Sequence, residues 1–147
     1  MNSSAQVLYF TDWWSVSDAT LHAQGRQRAG DIDMPIMDLT VAAFRPADDV
    51  ARTLSKASRV AATCASFTDH GEKVVVHSAL VKHLGSRGLY IESTEKSSDG
   101  PIVAQVVLAQ VGGYVVGADT NNATSSNISK AAMERMVSWL ARQLRSS

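Results

Sequence analysis

From Ile102 to Asp119 the chain reads Ile-Val-Ala-Gln-Val-Val-Leu-Ala-Gln-Val, then Gly112-Gly113, then Tyr-Val-Val-Gly-Ala-Asp. Two β-rich runs around two glycines predict a hairpin, because a two-residue turn needs positive φ and glycine supplies it without a Cβ clash. Ile102, Ala104, Val106 and Leu108 fall on one face of the first run. Val103, Val107 and Ala109 fall on the other, interrupted by Gln105. A strand apolar on both faces belongs in the middle of its sheet, covered on both sides.

The same alternation predicts strands over Met37–Arg45, Glu72–Val81 and Leu89–Lys96. Pro46 ends the first of these because it has no N–H to give the ladder. A helix over about residues 47–64 follows, with Val50, Leu54, Ala57, Ala61 and Cys64 at alternating spacings of four and three. Asp48 and Asp49 suit its N-terminal dipole. Ser66–Gly71 reads as a loop, Gly85–Gly88 as a turn, and Ser97-Ser98-Asp99-Gly100-Pro101 as a turn cluster. After a polar loop at Thr120–Asn127, a second helix is expected over roughly 128–145. Its stripe is Ala132, Met133, Met136, Val137, Leu140 and Leu144, with Trp139 capping the seam between helix and sheet.

This order predicts one α+β domain over residues 1–147. Its expected form is an antiparallel β-sheet of about five strands with two amphipathic helices packed on one face. Residues 1–36 are the least legible part. They hold a short candidate strand, Val7–Phe10, and the adjacent pair Trp13-Trp14. Neighbouring residues differ in direction by about 100° in a helix or 180° in a strand, so both indoles cannot enter one core. One is expected to cover the core and the other to stand at an edge or groove.

Fourteen basic residues balance fourteen acidic ones, which removes the electrostatic case for nucleic acid or an anionic membrane as partner. No 18-residue apolar span is present, so no membrane span is expected. The single cysteine, Cys64, closes an apolar stripe and reads as a core residue. Met1-Asn2-Ser3-Ser4 shows no signal-peptide pattern. That start fits either a cytoplasmic protein or the trimmed form of an exported one. Asn2, Asn122 and Asn127 match the glycosylation pattern, which has meaning only in a eukaryotic secretory setting.

No phosphate-binding loop, dinucleotide fingerprint, nucleophile elbow or zinc-protease motif occurs, and no cofactor is assigned. His77 and His83 would be roughly 20 Å apart on an extended strand, too far to share a metal, and no metal site is assigned. One constellation stands out: His77, Tyr90, Glu92 and Gln105 are the polar members of otherwise apolar strands. If the helices cover the face carrying Val76, Leu89 and Leu108, these four gather on the opposite face. They form either a solvated surface or the floor of a small-ligand cleft walled by Trp13 or Trp14. Val103 and Val107 on that face favour some cover over bare water.

The run Val41–Arg52, followed by Ala62-Thr63-Cys64-Ala65-Ser66-Phe67, resembles the strand–helix–Cys–x–x–Phe passage of actinobacterial extracellular sensor-like domains. These are akin to the external part of the mycobacterial PknH-type receptor kinases. The Ile102–Val116 hairpin resembles the one before their final helix, and the similarity spans about residues 37–145. The chain departs from them in having Cys64 where they carry paired cysteines. The resemblance implies an antiparallel α+β fold with a groove and an extracellular or cell-surface, ligand-sensing role.

Three functional readings follow. The first is a non-catalytic sensor-like module binding a small molecule or cell-envelope component through Trp13, Trp14, His77, Tyr90 and Gln105. The second is a small cofactor-independent isomerase or cyclase for an apolar substrate, with His77 or Glu92 as acid/base. The third is a homodimeric interaction module using a sheet edge or the Trp13-Trp14 segment.

Overall fold

The computed structural model describes residues 19–29, 32–46, 48–69, 71–120 and 128–146. Val7–Phe10, Trp13, Trp14, Asn2, Asn122 and Asn127 therefore lie outside the described residues. In chain order the elements are β1 (Ala19–Ala29), β2 (Ile32–Ala43), α1 (Asp48–Thr63), β3 (Ser66–Asp69), β4 (Glu72–Leu80), β5 (Arg87–Ser97), β6 (Gly100–Val111), β7 (Tyr114–Asp119) and α2 (Lys130–Ser146). The strands form one seven-stranded sheet in the order β1-β2-β7-β6-β5-β4-β3, every neighbouring pair antiparallel.

The double-glycine ribbon is central, as its two-faced apolarity requires. Val111 pairs with Tyr114 across the two-residue turn, and Gly112 takes φ 57°. β6 and β7 carry the core on both sides. Val106, Leu108 and Val115 pack with Val50, Leu54, Ala57 and Ala61 of α1. Val107, Ala109, Val116 and Ala118 pack with Met133, Val137 and Ala141 of α2.

The two helices therefore lie on opposite faces, not on one face as the element order suggested. The ribbon has two oily sides and each needs a cover. Chain routing assigns them. β2 sits second in the sheet and β3 last, so α1 must cross one face, where it packs on β4, β5 and β6. α2 leaves central β7 and settles on β6 and β7 from the other side.

The sheet has seven strands rather than about five because both edges were missed. In β1, Thr20, Leu21, His22 and Ala23 are all exposed, so this stretch of the edge strand leaves no period-two signal. β3 is only four residues long, and Phe67 alone of it packs on the α1 core. β2 also begins before Met37, at Ile32. Pro35 is accommodated where the β1–β2 register shifts, beyond the last β2–β7 pair, Asp38 with Asp119. β2 stops at Ala43 and the Arg45–Pro46 peptide is cis.

Both helices start near the expected positions. In α2 the Ser129 hydroxyl accepts from the Ala132 N–H at 3.1 Å, an N-cap. Cys64 is buried beneath the end of α1, and its N–H donates to the Val60 carbonyl at 2.9 Å. Trp139 does not cap the helix–sheet seam. It is 51% exposed and Met136 is 39% exposed, because the buried stripe runs through Met133, Val137 and Ala141. That stripe turns the 136/139 flank outward.

Two glycines with similar φ separate backbone strain from packing. A Cβ on Gly85 (φ 59°) would stand 2.1 Å from the Gln110 carbonyl oxygen, whereas one on Gly112 (φ 57°) meets nothing within 4 Å. Gly112→Ala is expected to cost about 1–2 kcal/mol, the left-handed penalty alone. Gly85→Ala adds displacement of the β6 backbone and is expected to cost at least about 3 kcal/mol. Urea denaturation midpoints of the two variants check the order.

Candidate functional site

In an antiparallel sheet, directly paired residues project to the same side. His77 pairs with Glu92 and Glu92 with Gln105, so the three form one row across β4, β5 and β6. Tyr90, two residues from Glu92, pairs with Ala79 and Val107 in the adjacent row. All four sequence-selected polar residues thus share the face of the sheet that α2 partly covers.

Three of them are bonded to one another. The Tyr90 hydroxyl donates to Glu92 Oε2 at 2.5 Å. Gln105 Nε2 donates to the Tyr90 oxygen at 3.1 Å and to Glu92 Oε2 at 3.4 Å. The phenol has one proton and gives it to the carboxylate, so the Gln105 amide must turn its NH2 toward both oxygens. Its own oxygen, Oε1, then points away, buried and with no hydrogen-bond partner among the described residues. A buried acceptor left in this state costs about 1–3 kcal/mol unless a donor reaches it.

His77 does not join this cluster. Its side chain is exposed, and no hydrogen bond links it to Glu92. The acid/base pairing considered for His77 and Glu92 is therefore a row neighbourhood without a bond, and Glu92 Oε2 is already taken by two donors. Trp13 and Trp14 lie outside the described residues.

The surroundings include residues that strand alternation could not reveal. Thr120 is buried, its hydroxyl accepts from the Gln105 N–H at 2.8 Å, and its N–H donates to the Gln105 carbonyl at 2.9 Å. These bonds fix the β6 backbone beneath the cluster. Lys130, at the start of α2, places Nζ 4.6 Å from the centre of the Tyr90 ring and 3.7 Å from Glu134. The Lys130/Glu134 spacing of four on a helix is the sequence signal by which this ion pair could have been found. Its seat over Tyr90 depends on how α2 docks. Burial pushes the Tyr90 phenol well above its ordinary pKa, and the hydrogen bond to Glu92 and the Glu92 charge act in the same direction.

A second concavity lies on the opposite face. It is an open groove of about 330 Å³ lined by Leu54, Ser55, Ser58, Arg59 and Ala62 of α1 and by Leu80, Arg87 and Leu89 of the sheet. No residue in it had been selected from the sequence. Among the described residues, no group of three or more His, Cys, Asp or Glu side chains comes together to hold a metal. No described helix is long and apolar enough to cross a membrane.

The Tyr90 arrangement makes stability depend on pH in the alkaline range. Unfolded tyrosine loses its proton near pH 10. The folded state, flanked by Glu92, Glu134 and Lys130, retains it. Below that pH both states hold the proton and stability is unaffected. Above it the unfolded chain binds fewer protons than the folded one, so stability falls as pH rises. Tyr90→Phe is expected to lose about 1–3 kcal/mol at neutral pH. It should also show a shallower decline than the parent above about pH 10. Urea midpoints of both proteins measured across that range check this.

No family model matches the chain, and no curated protein matches it. In structure the chain is similar to the crystallographically determined extracellular domain of PknH from Mycobacterium tuberculosis, with a TM-score of 0.53 and 13% sequence identity. The match covers 97% of this chain and 92% of that one, so it runs beyond residues 37–145. At this identity the likeness is one of fold: this chain and the PknH extracellular domain share their α+β architecture across nearly their whole lengths.

Proposed function

We propose that this chain is a non-catalytic, sensor-like module that binds a small molecule or cell-envelope component on the α2 side of its sheet. Tyr90, Glu92 and Gln105 form the floor and His77 the open margin, while Trp13 and Trp14, candidates for the same ligand from the sequence, lie outside the described residues. The observation that carries this reading is Gln105 Oε1, a buried acceptor held in place by its own amide bonds and lacking a donor among the described residues. A ligand hydroxyl or amine would complete it. Fold likeness to an extracellular domain supports the sensing role and a placement outside the cell.

The geometry favours recognition over chemistry. A phenol that keeps its proton and a carboxylate already holding two donors are fixed hydrogen-bonding groups rather than a poised acid and base. The test is a panel of polyols, amino sugars and peptidoglycan fragments, read by thermal denaturation and intrinsic tryptophan fluorescence. A true ligand at a hundred times its Kd should stabilise the fold by about 2.7 kcal/mol. Gln105→Leu should remove the response while the variant stays folded. A panel with no responder, or a response unchanged in both Gln105→Leu and Tyr90→Phe, would refute the site.

A further inference from the structure

On the sheet face opposite the Tyr90 cluster, the groove between α1 and the β4–β5 end has the makings of a second and different site. Its floor is apolar: Leu54 and Leu89 are buried, and Leu80 is 69% exposed, an unusual position for a leucine in an ordered strand. Its walls carry two guanidinium groups, Arg59 and Arg87, and two hydroxyls, Ser55 and Ser58. Among the described residues no carboxylate lines it. The Arg87 Nη1 donates to the Ser55 hydroxyl at 2.6 Å, which ties that guanidinium to the α1 wall of the groove. Arg59 has no carboxylate partner among the described residues, whereas Arg52, earlier on α1, is paired with Asp49 at 3.0 Å.

Arginine beside an open concavity matches oxyanions, which accept parallel N–H bonds from its fork. Exposed Leu80 beside buried Leu54 and Leu89 extends an oily track from that charged rim. A volume of about 330 Å³ is at the small end of ligand pockets and suits one short chain. We propose that this groove binds an amphiphile with an oxyanion head, a carboxylate or phosphate monoester, seated between Arg59 and Arg87. Its short aliphatic chain lies along Leu80, Leu89 and Leu54. The charge complementarity of two arginines identifies the head, and the leucine floor identifies the tail.

The test is isothermal titration together with amide chemical-shift mapping of the full chain, using sodium octanoate, octyl phosphate, octan-1-ol and inorganic phosphate as probes. Octanoate or octyl phosphate, or both, should bind and shift the amides of Ser55, Ser58, Gly88 and Leu89 while leaving Tyr90 and Gln105 unmoved. Which of the two binds more tightly names the head group. Octanol and inorganic phosphate should bind at least about tenfold more weakly, as loss of a charge-assisted bond or of the buried chain implies. Arg59→Met and Arg87→Met, both surface changes, should each weaken binding by about tenfold or more, and added salt should weaken it in the parent. Failure of both anionic probes to bind, equal binding of octanol, equal binding of bare phosphate, or shifts mapping to the Tyr90 face would overturn the proposal. Only the last of these outcomes would bear on the sensor site.

Discussion

Burial of both sides of the β6–β7 ribbon is the constraint on which the rest of this structure depends. Val107, Val115 and Val116 are wholly removed from solvent, and they project to both faces of the sheet. Each such side chain contributes roughly 1.5–3 kcal/mol when fully buried. Leaving either face wet would forfeit several of these together. α1 and α2 are consequently obliged to take opposite sides. The turn at Gly112-Gly113 sets the register by which odd and even positions are sorted between them. The same hairpin is tied to the neighbouring connection by the Phe44 N–H, which donates to the Gly113 carbonyl at 3.0 Å.

Two helices cannot cover seven strands. With neighbours about 4.8 Å apart, the sheet is roughly 30 Å wide, while a helix with its side chains is about 10 Å across. α2 therefore shields β6 and β7 and ends its cover near β5, and α1 shields the middle of β4–β6 but not the end of β4. Both candidate sites lie at these margins. The Tyr90–Glu92–Gln105 cluster sits where polar side chains are buried or half-buried beside the helix, and they bond to one another. The Arg59–Arg87 groove sits where the other helix lifts off the strand ends.

The two margins differ in character. On the α2 side Tyr90, Glu92 and Gln105 bond to one another, and among the described residues the Gln105 amide oxygen is left without a donor. Lys130 over the Tyr90 ring, with Glu134 beside it, couples this floor to the first turns of α2, so occupancy there would be felt by the helix. On the α1 side Arg59 and Arg87 are exposed, with no carboxylate lining the groove among the described residues, which favours rapid, salt-sensitive attraction over fine discrimination. Shared architecture with the PknH extracellular domain does not choose between the two margins, since fold alone does not choose a site.

Local patterning was enough to place the double-glycine turn, the two helices, the core stripe through Val50, Leu54, Ala57 and Ala61, and the set of polar residues facing one way. These depend on neighbours close in sequence: a turn's φ, a helix's 3.6-residue repeat, a strand's alternation. It did not reach the edge strands, because Thr20–Ala23 of β1 are exposed and write no period, and β3 is too short to show one. Nor did it assign the helices to their faces, or bring Lys130 over Tyr90 and Arg59 beside Arg87. Those arrangements join residues far apart in the chain. They are set by where α1 crosses the sheet and how α2 docks on it, and the packing of the two oily faces of β6 and β7 decides both.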